Sequence, residues 1–143
     1  MEVEIINEKL LYLKTLMKKL YSLLEEYELE NDLNRKDTLF AAMTKYSEEI
    51  IEVAIKINNK LLEKKSDYAS TYYQTFLKVE KYYSFPKSNL KLLGQTTSLR
   101  NKAAHEYEFL FENKDNSIKK YKDLLKLYPN YIEDIKEIIR TQY

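Results

Sequence analysis

An all-α fold, an antiparallel helical bundle of about five to six helices, is what the sequence predicts, and three observations predict it. The 143 residues include one glycine and two prolines, too few for the turns of a β-protein. Apolar residues recur at alternating steps of four and three over long stretches, the period of a helix buried on one face. The two longest such stretches are joined by a short polar link, so they should pack antiparallel. The length suits a single domain, residues 1–143, with a core that needs no staples. No internal repeat, linker or low-complexity segment interrupts it.

The first helix is expected from about residue 4 to 29, with Ile6, Leu10, Leu13, Met17, Leu20, Leu24 and Tyr27 on its seam. Glu30-Asn31-Asp32 ends the pattern. The second helix is expected to start near Asp37, an acceptable N-cap. It carries Leu39, Met43, Ile50, Ala54, Ile57 and Leu61 on one face, with Ser47 filling the stripe position between Met43 and Ile50. Lys64-Lys65-Ser66-Asp67 closes it, and a shorter third helix follows with Tyr72, Phe76, Val79 and Tyr83 inward. Phe85-Pro86-Lys87-Ser88 is a stop and restart, because Pro86 disfavours helical continuation through Phe85 and Ser88 offers a cap. The fourth helix is expected as one piece from about Asn89 to Phe111, then a loop over Asn113–Ser117. A fifth helix places Ile118, Tyr121 and Leu125 inward. It should break at Tyr128-Pro129, where Pro129 suits the first turn of a last helix carrying Ile132, Ile135 and Ile139.

Composition excludes several kinds of chemistry. With no cysteine, disulfides, thiolate catalysis and zinc-thiolate sites are out, and a cytoplasmic location is the default expectation. A single histidine means that a metal site would need carboxylates for most of its ligands. No apolar run approaches the ~20 residues of a membrane span, and the start, Met1-Glu2-Val3-Glu4, is acidic where a signal peptide is basic. Charged residues make up 33% of the chain, yet the net charge is +1. Any nucleic-acid site must therefore be a local concentration of charge, not a global field.

One such place is Arg100-Asn101-Lys102-Ala103-Ala104-His105-Glu106-Tyr107. It holds the lone histidine and one of three arginines in a chain otherwise positive through lysine. Arginine holds a phosphate with a planar fork of donors, which lysine does badly. Histidine exchanges protons near neutral pH without tuning. Together they suggest phosphoryl chemistry on RNA. On one continuous helix at about 100° per residue, Arg100 and Tyr107 fall nearly on one line, and His105 lies about 140° round from Arg100. Asn101, His105 and Glu108 form the adjacent line, and Ala103-Ala104 leave the backbone open to close approach. On spacing alone an Arg and His pair is a weak pattern, since a lone histidine on a helix is usually a packing residue or an exposed passenger.

Arg-Asn-x-x-x-His-x-Tyr, late in a helical chain of this length, resembles the signature of the HEPN superfamily, and in particular the HepT-like toxins. The order of elements is similar too, including an acidic patch on the second helix at Glu48-Glu49 and Glu52. The resemblance implies that Arg100 and His105 form a ribonuclease motif, and that Tyr107 is the site at which a partner nucleotidyltransferase antitoxin attaches AMP. It further implies a twofold homodimer, which agrees with the histidine count: a complete acid-base mechanism wants a second proton carrier, and a second copy would bring one. The chemistry expected is metal-independent endonucleolytic cleavage of RNA, with no cofactor. His105 is general acid/base, Arg100 the phosphate clamp and Asn101 an orienting group, with Glu48 and Glu49 as possible supports.

Other features point to structure first. Tyr68, Tyr72, Tyr73, Tyr82 and Tyr83 cluster at helical spacing, which favours a core edge or a partner contact over base stacking. Glu48, Glu49 and Glu52 could bind a metal or orient Arg100, though a solvated helix face is the simpler reading. Lys119-Lys120 and Lys122 read as surface, or as an RNA rim. The rival function is a non-catalytic helical module that binds nucleotide or substrate for a partner nucleotidyltransferase.

Overall fold

A computed structural model describes residues 2–143, and among them it contains seven α-helices, a 3₁₀ turn and no strand. Helix α1 (Glu2–Leu29) buries Ile6, Leu10, Leu13, Leu20 and Leu24 as the four-three spacing predicts, with Leu16 in place of the half-buried Met17. After Glu30–Asp32 the chain reverses into α2 (Leu33–Lys64). Cross-links run in opposite order along the two helices, Glu26 with Arg35, Tyr12 with Glu49 and Glu2 with Lys64, so the pair is antiparallel.

Helix α2 is the centre of the molecule, touching α1, α3, α5 and α7. Its expected stripe is buried throughout, and so are Phe40, Ile51, Val53, Ile55 and Leu62 outside it, because neighbours cover it on several sides. It starts four residues before Asp37. Asp32 is the N-cap, its carboxylate accepting the Asn34 amide at 3.2 Å, and nothing from Leu33 to Lys36 forbids a helix. Asp37 sits inside the helix and pairs with Lys114 at 3.1 Å. The exit is as expected, with Ser66 in the left-handed region (φ 54°) and the amides of Lys65, Ser66 and Asp67 closing on the Leu62 and Glu63 carbonyls.

Helix α3 (Tyr72–Lys78) is capped by Thr71 and runs into the 3₁₀ turn Val79–Lys81. Phe76, Val79 and Tyr83 are buried, whereas Tyr72 faces solvent. At the restart, Ser88 is not the cap. Its hydroxyl donates to the buried Asp134 carboxylate at 2.6 Å, which also accepts the Lys87 amide, and Asn89 caps the next helix instead.

The expected fourth helix is three: α4 (Leu90–Gln95), α5 (Thr97–His105) and α6 (Tyr107–Glu112). At the first break Thr96, Thr97 and Ser98 each donate a hydroxyl proton to the carbonyl three residues back, Leu93, Gly94 and Gln95. Three successive side chains thus compete with the helical ladder. At the second, Glu106 (φ −140°, ψ 48°) leaves the helix altogether. The turn it makes lets the rings of Tyr107 and Phe111 pack on Phe40, at centroid distances of 6.2 and 6.1 Å. Aromatic burial outweighs local propensity there.

Conversely, the expected fifth and sixth helices are one, α7 (Lys114–Thr141), which absorbs most of the anticipated loop at Asn113–Ser117 and carries Pro129 inside it. An interior proline costs about 3 kcal/mol. Tyr128, Tyr131, Ile132, Ile135 and Ile138 are buried around it, and at about 1.5–3 kcal/mol for each apolar side chain their packing outweighs the break.

Candidate functional site

Helix α5 lies against α2, anchored by the buried Leu99 and Thr97. Its outward side carries Asn101, Ala104 and His105, all exposed. Arg100 is at the edge, its side chain 18% exposed, and it reaches back to α2. Its Nε donates to Glu52 Oε1 at 3.2 Å, and Nη2 lies 3.1 Å from the same oxygen. Nη1 donates to Asn101 Oδ1 at 3.4 Å, and the guanidinium carbon is 5.0 Å from the centre of the Tyr72 ring. Arginine has five N–H donors. The second N–H of each η nitrogen therefore has no partner among the described residues, and a bound phosphate could take both.

Four sequence-derived expectations meet the geometry differently. Arg100, Asn101 and His105 share one helix, with Asn101 and His105 on its exposed strip and Arg100 at the edge. The guanidinium, however, turns toward Glu52 and Tyr72, and His105 makes no hydrogen bond among the described residues. Tyr107 does not continue the line of Arg100, because the Glu106 break separates α5 from α6. Its ring is half buried between Phe40 and Phe111, and burial first, then the Asp37 carboxylate, push its phenol above the ordinary value. Glu48 and Glu49 are paired elsewhere than with Arg100: Glu48 pairs with Lys45 at 3.4 Å, and Glu49 accepts the Tyr12 hydroxyl at 2.7 Å.

Glu52, one turn further along α2, is the carboxylate that meets Arg100. The acidic patch pointed to its neighbourhood, but a partner 48 positions away has no sequence signal of its own. Tyr72, Lys102 and Phe109 also stand beside the motif and were not singled out for it; the tyrosine cluster was the only hint of Tyr72. A groove of about 530 Å³ between α5 and α7 is lined by Leu92, Thr96, Leu99, Leu124 and Leu127, among others. None of Arg100, Asn101, His105 or Tyr107 lines it, so the motif stands outside that concavity. No cluster of three or more histidine, aspartate or glutamate side chains is disposed to hold a metal ion, and no helix is long and apolar enough to cross a membrane, among the described residues.

The all-helical bundle fits the HEPN type of fold. The family model described as Ribonuclease HepT-like matches residues 13–114, from the fourth turn of α1 through the first residue of α7. The chain belongs to the HepT-like ribonuclease family. No curated protein and no solved structure matches it.

Proposed function

We propose that the chain is the toxin of a toxin–antitoxin pair, an endoribonuclease whose reacting groups are His105, Arg100 and Asn101. The observation that carries this reading is the held guanidinium: Glu52 pairs with Arg100 and Asn101 accepts from it, N–H donors on its η nitrogens are left over, and the same helix presents the exposed Asn101 and His105. In the cleavage step His105 removes the proton from a ribose 2′-hydroxyl. The 2′-oxygen attacks the adjacent phosphorus, and the bond to the 5′-oxygen breaks. Arg100, helped by Asn101, neutralises the charge that builds on the non-bridging oxygens. The products are a 2′,3′-cyclic phosphate and a 5′-hydroxyl, and the proton balance closes when an acid delivers a proton to the departing oxygen.

One chain has no second histidine to be that acid. A twofold homodimer with the α5 helices facing across a cleft would provide one, and the exposed Ala104 lets the two backbones approach. No step in this scheme uses a metal. Control is proposed at Tyr107, by transfer of AMP from a nucleotidyltransferase antitoxin. A tyrosine phenol is protonated at neutral pH, and burial and then Asp37 raise this one further, so the transferase must bring the base that makes it a nucleophile.

The test is His105→Ala beside wild type in an RNA cleavage assay and a growth assay. A lost general base costs about 100- to 10,000-fold in rate, while the exposed position predicts an unchanged circular dichroism melt. Undiminished cleavage by the variant, or cleavage abolished by a chelator, defeats the proposal.

A further inference from the structure

Two exposed aromatic rings flank the motif without belonging to it. Tyr72, the first residue of α3, is 43% exposed, and Phe109 in α6 is 45% exposed. Neither packs into the hydrophobic core, so burial does not account for them. Each instead has a cation of α5 set against it. The Arg100 guanidinium carbon lies 5.0 Å from the Tyr72 centroid, and the Lys102 ammonium 4.4 Å from the Phe109 centroid. Going round α5 from Arg100, Asn101 comes at about 100°, His105 at about 140° and Lys102 at about 200°. The strip that holds Asn101 and His105 is therefore bounded on both edges by a cation resting on an aromatic ring.

The backbones under both rings are tied down. The Tyr72 carbonyl accepts the Thr75 hydroxyl at 2.7 Å, Thr75 accepts Asn58 Nδ2 at 3.3 Å, and Asn58 Oδ1 accepts the Tyr131 hydroxyl at 2.6 Å. A buried relay from α7 through α2 thus holds the start of α3. Next door, Tyr73 rests on Gly94, where an added Cβ would lie 2.9 Å from a ring carbon. The only glycine of the chain lets α3 seat against α4 and so brings Tyr72 to Arg100. On the other side, the Phe109 carbonyl accepts Asn113 Nδ2 at 2.8 Å and its amide donates to the Glu106 carbonyl at 3.0 Å. Rings on ordered backbones lose little freedom when a ligand stacks on them.

We propose that Tyr72 and Phe109 are stacking platforms for the bases on either side of the scissile phosphate, so that the substrate class of this site is RNA with unpaired, splayed nucleotides. The inference rests on the ribonuclease reading of Arg100, Asn101 and His105. Rings that take base faces, interleaved with cations that take phosphates, bind single strands through features every nucleotide has. Bases paired inside an A-form helix do not offer those faces.

The experiment uses the full chain, a short single-stranded RNA, the same strand annealed to its complement, and a 2′-O-methyl copy that cannot form the attacking alkoxide. The single strand should be cleaved and the duplex spared. Tyr72→Ala and Phe109→Ala should each weaken binding of the methylated strand, and raise KM, by about 5- to 150-fold with kcat little changed. Tyr72→Phe and Phe109→Tyr should bind as wild type does. Equal cleavage of the duplex, or alanine variants that keep wild-type affinity, overturns the platforms and leaves the nuclease standing. A loss confined to kcat also overturns them, since it would mean that Tyr72 only positions Arg100, and so does a change of oligomeric mass in Phe109→Ala, which would make that ring a subunit contact. Ring-dependent binding without cleavage of any RNA supports the platforms and defeats the nuclease reading alone.

Discussion

The long helices and the motif segment are built on opposite plans. In α1, α2 and α7 the apolar side chains face one another, and most buried polar groups are paired, Tyr131 with Asn58, Tyr121 with Thr44 and Asp134 with Ser88 of the loop before α4, Ser47 Oγ being the buried side-chain atom left without a partner among the described residues. In Leu90–Glu112 the chain is cut into three short helices, with Asn101, His105, Tyr72 and Phe109 left on the outside around it. The scaffold stores stability in contacts it does not offer to a ligand. The motif segment is anchored by Leu90, Leu93, Leu99 and Leu110 and by Tyr107 and Phe111 on Phe40, and it keeps polar groups of Asn101 and His105 on the surface. The difference teaches that stability and chemistry are separable here, and that substitutions in one region should leave the other's property alone.

The strongest test of that separation is Ile57→Ala. Ile57 is fully buried in α2, and truncation of such a residue costs about 2–5 kcal/mol. Chemical denaturation should show a midpoint shift of that size, while the folded fraction cleaves RNA at the wild-type rate. A large loss of specific activity at full folding would mean that the core and the site are coupled.

Glu52→Gln sharpens the boundary, because Glu52 belongs to the scaffold helix and acts on the motif. The ion pair with Arg100 is part exposed, so its loss should cost at most about 1 kcal/mol of stability. Misplacing a catalytic group is costlier, and kcat should fall by about 10- to 100-fold. A rise in activity would reverse the role, making Glu52 a competitor that holds the guanidinium away from phosphate.

The smallest effect is expected at a loop clasp outside the motif segment. The Tyr82 hydroxyl first, then the Lys78 ammonium and the Tyr68 amide, hold the Asp67 carboxyl down at about 2. A carboxyl whose folded value lies below its unfolded one stabilises the fold above the unfolded value, and that contribution is lost as pH falls from about 4 to about 2. Asp67→Asn should flatten acid unfolding in that window and leave stability at neutral pH only slightly lower. An acid limb identical to wild type would show that the clasp carries nothing.

Much of the fold was legible because it obeys one rule. Ile6 to Leu24 and Leu39 to Leu61 follow the helical period, and helices that long are decided by the face they bury. The reading failed where two local signals competed with a distant surface. Pro129 is a stop signal, yet the aromatic and aliphatic core around it carries α7 straight through. Glu106 has no stop signal, yet the pull of Phe40 on Tyr107 and Phe111 turns the chain. Asp37 looked like a cap only because Asp32, five residues earlier, was read as part of the link.

The sequence by itself determined the helical class, the antiparallel pair at the centre, the family resemblance and the identity of Arg100, Asn101, His105 and Tyr107, because period and motif are local patterns along the chain. Tertiary structure alone decided that Glu52, not Glu48 or Glu49, grips Arg100, that Tyr107 leaves the line of the motif, and that Tyr72 and Phe109 frame the exposed strip. The reason is distance along the chain. Those contacts join residues on different helices, and no spacing in a sequence states which faces of two helices will meet until the core has packed.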